Sequence, residues 1–349
     1  MAAFLSFVAL LLGVWAAEPA PAGAAAAAAV EEAAAAEGEP VADAVVYAKP
    51  ERVRVGVYVN DIQTIDLKQH TYALDAYIWF RWKNPELDPA SSMEFMNPNE
   101  LWGHILTPAY EEPEALPNGE LYQVVRIQGR FSRKMPLYNY PFDRQTLAMV
   151  FEDTRNELGD LVYEVDTGGV TLNSALVLPG YDIGVPTLTV TESGYPTNFG
   201  DTRIEKPSNY TRATLAVPVT RPRVAYATKL LVPVLAVIAC AALMFLLAPT
   251  YVDARVDVGI TSLLTIVALQ MTFNQDLPDV GYLMLMDKVY LSSYGFVIFG
   301  LAVVVRTTRA IGTTAEATAM GLHRRALIML AGAYFVGVAW MVRAAIAEG

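Results

Sequence analysis

The chain has 349 residues, 54% of them hydrophobic, and a formal net charge of −11. So acidic a chain lacks the basic stripe that nucleic-acid recognition needs, and its positive mean hydropathy points to a membrane. The single cysteine, Cys240, excludes intrachain disulfides and Cys-based zinc sites. The three histidines (His70, His104 and His323) show no metal-ligand spacing, so neither metal nor cofactor is expected.

Residues 2–16, "AAFLSFVALLLGVWA", are apolar but too short for a comfortable span, and small residues follow. This pattern predicts a signal peptide over 1–16 cleaved near Ala16, although its start carries no Lys or Arg. Residues 17–48, rich in Ala, Glu and Pro, hold too little bulky apolar surface for a core and read as a linker.

Residues 49–221 read as a β domain. "VRVGVYV" puts Val53, Val55, Val57 and Val59 on one strand face. In "TYALDAYIWFRW", Leu74, Ile78, Phe80 and Trp82 share one face, and Tyr77, Trp79 and Arg81 the other. Further short strands, "YQVVRIQGRF", "TLAMVFE", "LVYEVD", "PTLTVTE" and "YTRATLAVPV", are separated by turn residues. Repeated short strands of this kind predict a sandwich.

Residues 222–349 hold four apolar segments with short connections, so four membrane helices are expected, at about 224–249, 254–275, 282–305 and 324–347. Arg306, Arg309, Arg324 and Arg325 flank the connection between the third and fourth, which places that loop in the cytoplasm. Four crossings then put the β domain outside, as the signal peptide also requires.

The second segment, "VDARVDVGITSLLTIVALQMTFNQDLP", is uncharged for 18 residues from Val258 to Gln275, yet two acids open it. On a helix, Asp253, Asp257, Thr261, Leu264, Ala268, Met271 and Gln275 fall in one stripe, spaced 4, 4, 3, 4, 3 and 4. Carboxylates at membrane depth usually face a water-filled cavity. Several copies around an aqueous pore would hydrate them, with Asp rings selecting cations and Leu or Met rings closing by dewetting. The competing reading pairs the acids with Arg255, but neighbours on a helix point apart.

These features, with four motifs, resemble the pentameric ligand-gated ion channels (the Cys-loop receptor superfamily) of bacterial type, over about residues 49–349. The first motif is "LYNYPFDRQTL", with an aromatic-Pro-x-Asp core at Tyr140, Pro141, Phe142 and Asp143. Arg133 and Leu147 stand where animal members have cysteines, so the loop disulfide is absent. The second is "TRPRVAYATKLLVPV", with Arg221, Tyr226 and Pro233. The third is the pore helix ending at Leu277-Pro278, and the fourth is "WKNPEL" from Trp82.

The resemblance implies a homopentamer around a central pore, each subunit an extracellular immunoglobulin-like sandwich of about ten strands over four helices. It implies a multi-pass protein of the bacterial inner membrane, in contact with the lipid bilayer and passing monovalent cations. Pore-lining residues would be Asp253, Asp257, Thr261, Leu264 (the central gate), Ala268 and Met271. Asp257 departs from the family, where Thr, Ser or Gln is usual, and suggests modulation by divalent cations at the inner mouth. Residues 306–323 leave room only for a short cytoplasmic loop.

By the same resemblance an agonist would bind between sandwiches at Tyr77, Trp79, Tyr110, Glu152, Tyr195 and Phe199, and Asp143, Arg221 and Pro278 would couple binding to the gate. Glu152 and Asp153 suit an amine and Arg155 an acid, so the agonist stays open. Two other classes stay open as well: a proton- or divalent-modulated channel without a small-molecule agonist, and a membrane-anchored periplasmic binding module. No nucleophile–base set or phosphate loop supports an enzyme.

Overall fold

The computed structural model describes residues 50–100, 103–200, 208–308 and 316–348. The expected signal peptide and linker lie outside the described residues. From Pro50 the chain forms a two-sheet sandwich and then four long helices.

The first sheet contains β1 (Glu51–Asp66), β2 (Thr71–Trp82), β4 (Ile105–Pro108), β5 (Glu114–Ala115), β6 (Leu121–Ser132) and β8 (Leu161–Leu172), in the order β4-β6-β2-β1-β8 with β5 on β6. The second contains β3 (Met93–Phe95), β7 (Arg144–Asp153), β9 (Asp182–Ile183), β10 (Thr187–Gly194) and β11 (Asn209–Thr220), in the order β10-β11-β7-β3 with β9 on β11. The β1–β8 pairing is parallel and the others are antiparallel.

Period-two alternation builds the core. Val53, Val55, Val57 and Val59 are fully buried, and across the ladder Val55 faces Phe80 and Val57 faces Ile78. Leu147, Met149 and Phe151 of β7 and Ala213, Leu215, Val217 and Val219 of β11 close the cluster from the second sheet. One side chain pins the two sheets together. The Tyr72 hydroxyl donates to the Ala148 carbonyl (2.5 Å) and accepts from the Ala148 amide (2.9 Å). Burial pushes its pKa up to about 12, so it stays a neutral donor.

The helices are α1 (Arg223–Leu246), α2 (Val252–Asn274), α3 (Leu285–Thr308) and α4 (Glu316–Glu348), each long and apolar enough to cross a membrane. The last starts well before the expected residue 324, because Glu316–Met320 suit a helix but not a hydropathy window. The third starts at Leu285 rather than 282, where the Asp287 carboxylate accepts from the Met284 amide at 3.0 Å. Two glycines let the helices approach. A Cβ on Gly259 of α2 would run into Leu301 of α3, and one on Gly300 of α3 would run into Met244 of α1.

Removing the Tyr72 hydroxyl strands the Ala148 amide inside the sandwich, while the Ala148 carbonyl keeps the Asn97 side-chain amide (2.7 Å). Tyr72→Phe is therefore expected to cost roughly 1–3 kcal/mol of stability, visible as a lowered melting temperature of the purified protein, and an unchanged melting curve would refute the pinning role.

Candidate functional site

Helix α2 has two faces. Arg255, Gly259, Ser262 and Ile266 are buried against the chain's own helices. Opposite them, Asp253, Asp257, Thr261, Leu264, Ala268, Met271 and Gln275 are all exposed, Leu264 at 64% and Met271 at 65%. The stripe of acids, hydroxyl and apolar side chains is thus the face that the subunit leaves uncovered.

Arg255 takes no part in that face. Its guanidinium points into the bundle, where Nε donates to the Met244 carbonyl of α1 (2.6 Å) and Nη2 lies 3.2 Å from His323 Nδ1 of α4. His323 also contacts the Thr307 hydroxyl of α3. One buried polar cluster therefore joins all four helices at the end where α2 begins. Among the described residues Arg255 forms no ion pair with Asp253 or Asp257, and its Nη1 has no partner. Neither histidine nor hydroxyl carried a sequence signal for this cluster, because its members lie far apart along the chain.

At the other end, the loop 133–143 rests on the helices. The Arg221 Nη1 donates to Asp143 Oδ1 at 2.7 Å, with side-chain exposures of 1% and 5%. Arg221 Nη2 donates to the Tyr181 hydroxyl (3.0 Å), and the guanidinium carbon lies 4.6, 4.9 and 5.8 Å from the ring centres of Tyr140, Tyr181 and Tyr226. Gln145 Nε2 donates to Asp143 Oδ2 (2.5 Å) and to the Pro136 carbonyl (2.8 Å), which ties the carboxylate to its own loop. Burial alone would lower the Arg221 pKa, but Asp143, helped by Tyr181 and Tyr140, outweighs it and the net direction is up. Burial pushes the Tyr140 pKa to about 12.

The junction continues into α2. The Tyr140 ring is 5.7 Å from that of Phe273, and Leu137 packs with Leu277 and Met284. Tyr138 stacks on Tyr282 at 3.8 Å, and the Tyr282 hydroxyl accepts from the Leu137 amide at 2.9 Å. The Leu285 amide donates to the Tyr138 carbonyl (2.8 Å), and Lys68 Nζ reaches the Gln275 carbonyl at the end of α2 (3.3 Å). Pro278 is half-buried in this connection, beside Leu277. The sequence singled out Asp143, Arg221 and Pro278. The tyrosine box and the Leu137–Leu277 contact come only from the fold.

The residues expected to hold an agonist fall on two surfaces. Tyr77, Trp79 and Arg81 lie on the outward face of β2, half-buried. Tyr77 is 6.2 Å from Tyr58 and beneath the Arg126 guanidinium (5.4 Å), Trp79 Nε1 donates to Asp166 (2.9 Å), and Arg81 bridges Glu120 (2.6 Å) and Asp166 (3.2 Å). Tyr110 lies 6.2 Å from Tyr122 on the same sheet. On the other sheet, the Tyr195 hydroxyl donates to Glu152 (2.9 Å), Arg212 Nε also binds Glu152, and the Tyr195 ring is 5.4 Å from Phe199. Glu152 is thus already neutralised, and an incoming amine would have to displace Arg212. Asp153 is spent too, accepting from the Ser92 hydroxyl (2.5 Å) and from the amides of Arg155 (3.0 Å) and Asn156 (2.8 Å).

No family model matches the chain. It is 24% identical over 276 residues to the proton-gated ion channel of Gloeobacter violaceus, covering 74% of this chain and 71% of that protein. It is 23% identical over 278 residues to the acetylcholine-gated chloride channel subunit acc-1 of Caenorhabditis elegans, covering 72% of this chain and 57% of that one. Over that span, with a sandwich leading into four membrane-length helices, the chain is similar to channels of the pentameric ligand-gated superfamily. It is a multi-pass membrane protein of that fold.

A buried ion pair that loses one partner leaves the other charge unsolvated, at a cost of roughly 3–5 kcal/mol. Asp143→Ala or Arg221→Ala alone is expected to impair assembly or activation, whereas the pair removed together loses less than the sum. Strictly additive effects in a double-mutant cycle, with surface expression controlled, would sink the direct coupling.

Proposed function

We propose that this chain forms a homopentameric, cation-selective ligand-gated channel of the bacterial inner membrane, with its sandwich outside. The observation that carries the reading is the uncovered stripe of α2 from Asp253 to Met271, set against the buried face from Arg255 to Ile266. Five such stripes around an axis would make two carboxylate rings at one mouth and apolar rings above, the arrangement that favours cations and closes by dewetting. One relative is a chloride channel by name, so the two acids have to supply the cation preference here. Arg255, turned into its own bundle, does not oppose them.

The ligand reading rests on the two outward surfaces. Tyr77 and Trp79 face away from the sheet that carries Tyr195 and Phe199, so a site using both needs a neighbouring subunit. An amine suits the aromatic rings, though Glu152 is already paired. A second reading, activation by protons, is favoured by the name of the Gloeobacter relative. The Asp75, Glu120 and Asp166 carboxylates are poor proton sensors. The Arg126 hydrogen bond holds Asp75 below the usual range, and in Glu120 and Asp166 burial is outweighed by Asn118 and Arg81 and by Trp79 respectively. With folded-state values depressed, their stabilisation is present above the ordinary carboxylate range and is lost only as pH falls through the lowered values.

Two recordings test the pore. In a salt gradient, Asp253→Asn with Asp257→Asn should move the reversal potential towards zero, and an unchanged potential would mean these acids do not control permeation. Leu264→Ser would hydrate the apolar ring proposed as the gate and should left-shift activation or leave a standing leak; wild-type opening in that variant would put the gate elsewhere.

A further inference from the structure

Arg255 sits on α2 midway between Asp253 and Asp257, yet its side chain is fully buried while both acids are exposed. Among the described residues no carboxylate neutralises it, and its Nη1 has no partner. A buried cation without a counter-ion is unfavourable, so it stays inside only where neutral acceptors hold it. Two do so. The Met244 carbonyl of α1 accepts from Nε at 2.6 Å. Nη2 meets the His323 ring of α4, 3.2 Å from Nδ1 and 3.3 Å from Nε2. That ring is itself oriented. Thr307 donates its hydroxyl to the Val303 carbonyl of α3 (2.8 Å), so towards His323 Nε2 its oxygen accepts. The imidazole proton therefore sits on Nε2, and Nδ1 keeps its lone pair for Arg255. Arg255 also belongs to the first turn of α2, where a long cationic side chain can swing its head past the helix end into water. In the proposed pore that water is the mouth where Asp253 and Asp257 stand exposed.

We infer that His323, oriented by Thr307, is a positioning residue for ion selectivity: it ties the Arg255 guanidinium into the bundle and keeps that charge out of the acidic mouth. Each subunit brings two carboxylates to the mouth, and a guanidinium released there would offset one of them. The inference rests on the reading of Asp253 and Asp257 as pore acids. It adds a residue of α4, a helix with no part in the exposed stripe, to those that decide the permeating charge.

Reversal potentials of the full chain in a salt gradient give the cation-over-anion permeability ratio. His323→Leu, which keeps the bulk and removes the acceptor, should lower that ratio about as far as Asp257→Asn does, since each change costs one negative charge per subunit at the mouth. Arg255→Gln added to His323→Leu should restore the ratio, a reversal that a merely structural fault in α4 would not show. His323→Asn, whose side-chain oxygen takes the place of Nδ1, should stay close to wild type. An unchanged ratio in His323→Leu, no recovery in the double variant, or a loss in His323→Asn as large as in His323→Leu would each overturn the proposal. Should His323→Leu fail to assemble, the isosteric Thr307→Val decides: a fall in the ratio that Arg255→Gln reverses supports the tether, and no fall sinks it. A cryo-EM map of whichever variant assembles reads the tether without current. A guanidinium turned to the mouth supports it, and one still on the Met244 carbonyl overturns it. If Asp253→Asn with Asp257→Asn leaves the wild-type ratio, the pore-acid reading fails and the selectivity role with it, while the map still judges the tether.

Discussion

A guanidinium and a carboxylate are held out of water where β11 ends and α1 begins, and the geometry of the junction follows from satisfying them. Desolvating the two ions costs several kcal/mol each unless contacts replace the water. Arg221 recovers its contacts from Asp143, the Tyr181 hydroxyl and three aromatic faces, and Asp143 from Gln145. Those partners come from different parts of the sandwich and from the first turn of α1, so the pair is satisfied when the loop 133–143, the start of β7, the strand exit and the segment around Tyr181 all meet. Tyr140 then carries the arrangement onward, with one face towards Arg221 and its ring close to Phe273 of α2.

Helix α2 is fastened at both ends and uncovered along one side. At its start, the Arg255–His323–Thr307 cluster links it to the other helices. At its end, Leu277 packs under Leu137 while Lys68 reaches the Gln275 carbonyl. Between them, Gly259 lets α3 approach one face. The opposite face gains nothing from its own subunit, and it is the carboxylates of Asp253 and Asp257, not the apolar Leu264 and Met271, that would be costly against lipid.

The same logic applies to the sandwich. Tyr77 and Trp79 are directed outward from one sheet, Tyr195 and Arg212 from the other, and a packed core separates them. Charges on both surfaces are satisfied within the chain, as in Arg81 with Glu120 and Asp166, or Arg212 with Glu152. A ligand meeting either surface would have to compete with these existing pairs.

Periodicity made much of this legible before any coordinates. Alternation placed Val53–Val59 and Leu74–Trp82 in a sandwich core, and the 4-4-3 spacing placed Asp253, Asp257, Thr261 and Leu264 on one stripe, because both are properties of a local backbone repeat. The short motifs likewise marked Asp143 and Arg221, charged residues beside conformationally restricted prolines. Local patterns could not say what a side chain meets across the fold. The early start of α4 was missed because hydropathy does not register polar helix formers. That Arg255 turns from the acids towards His323, that Glu152 is taken by Arg212, and that Tyr181 holds Arg221 depend on partners 68, 60 and 40 residues away. The sequence alone determined which faces exist; the tertiary structure decided which of them are covered, since burial and charge pairing are set by packing between distant segments, and such packing leaves no periodic trace in the chain.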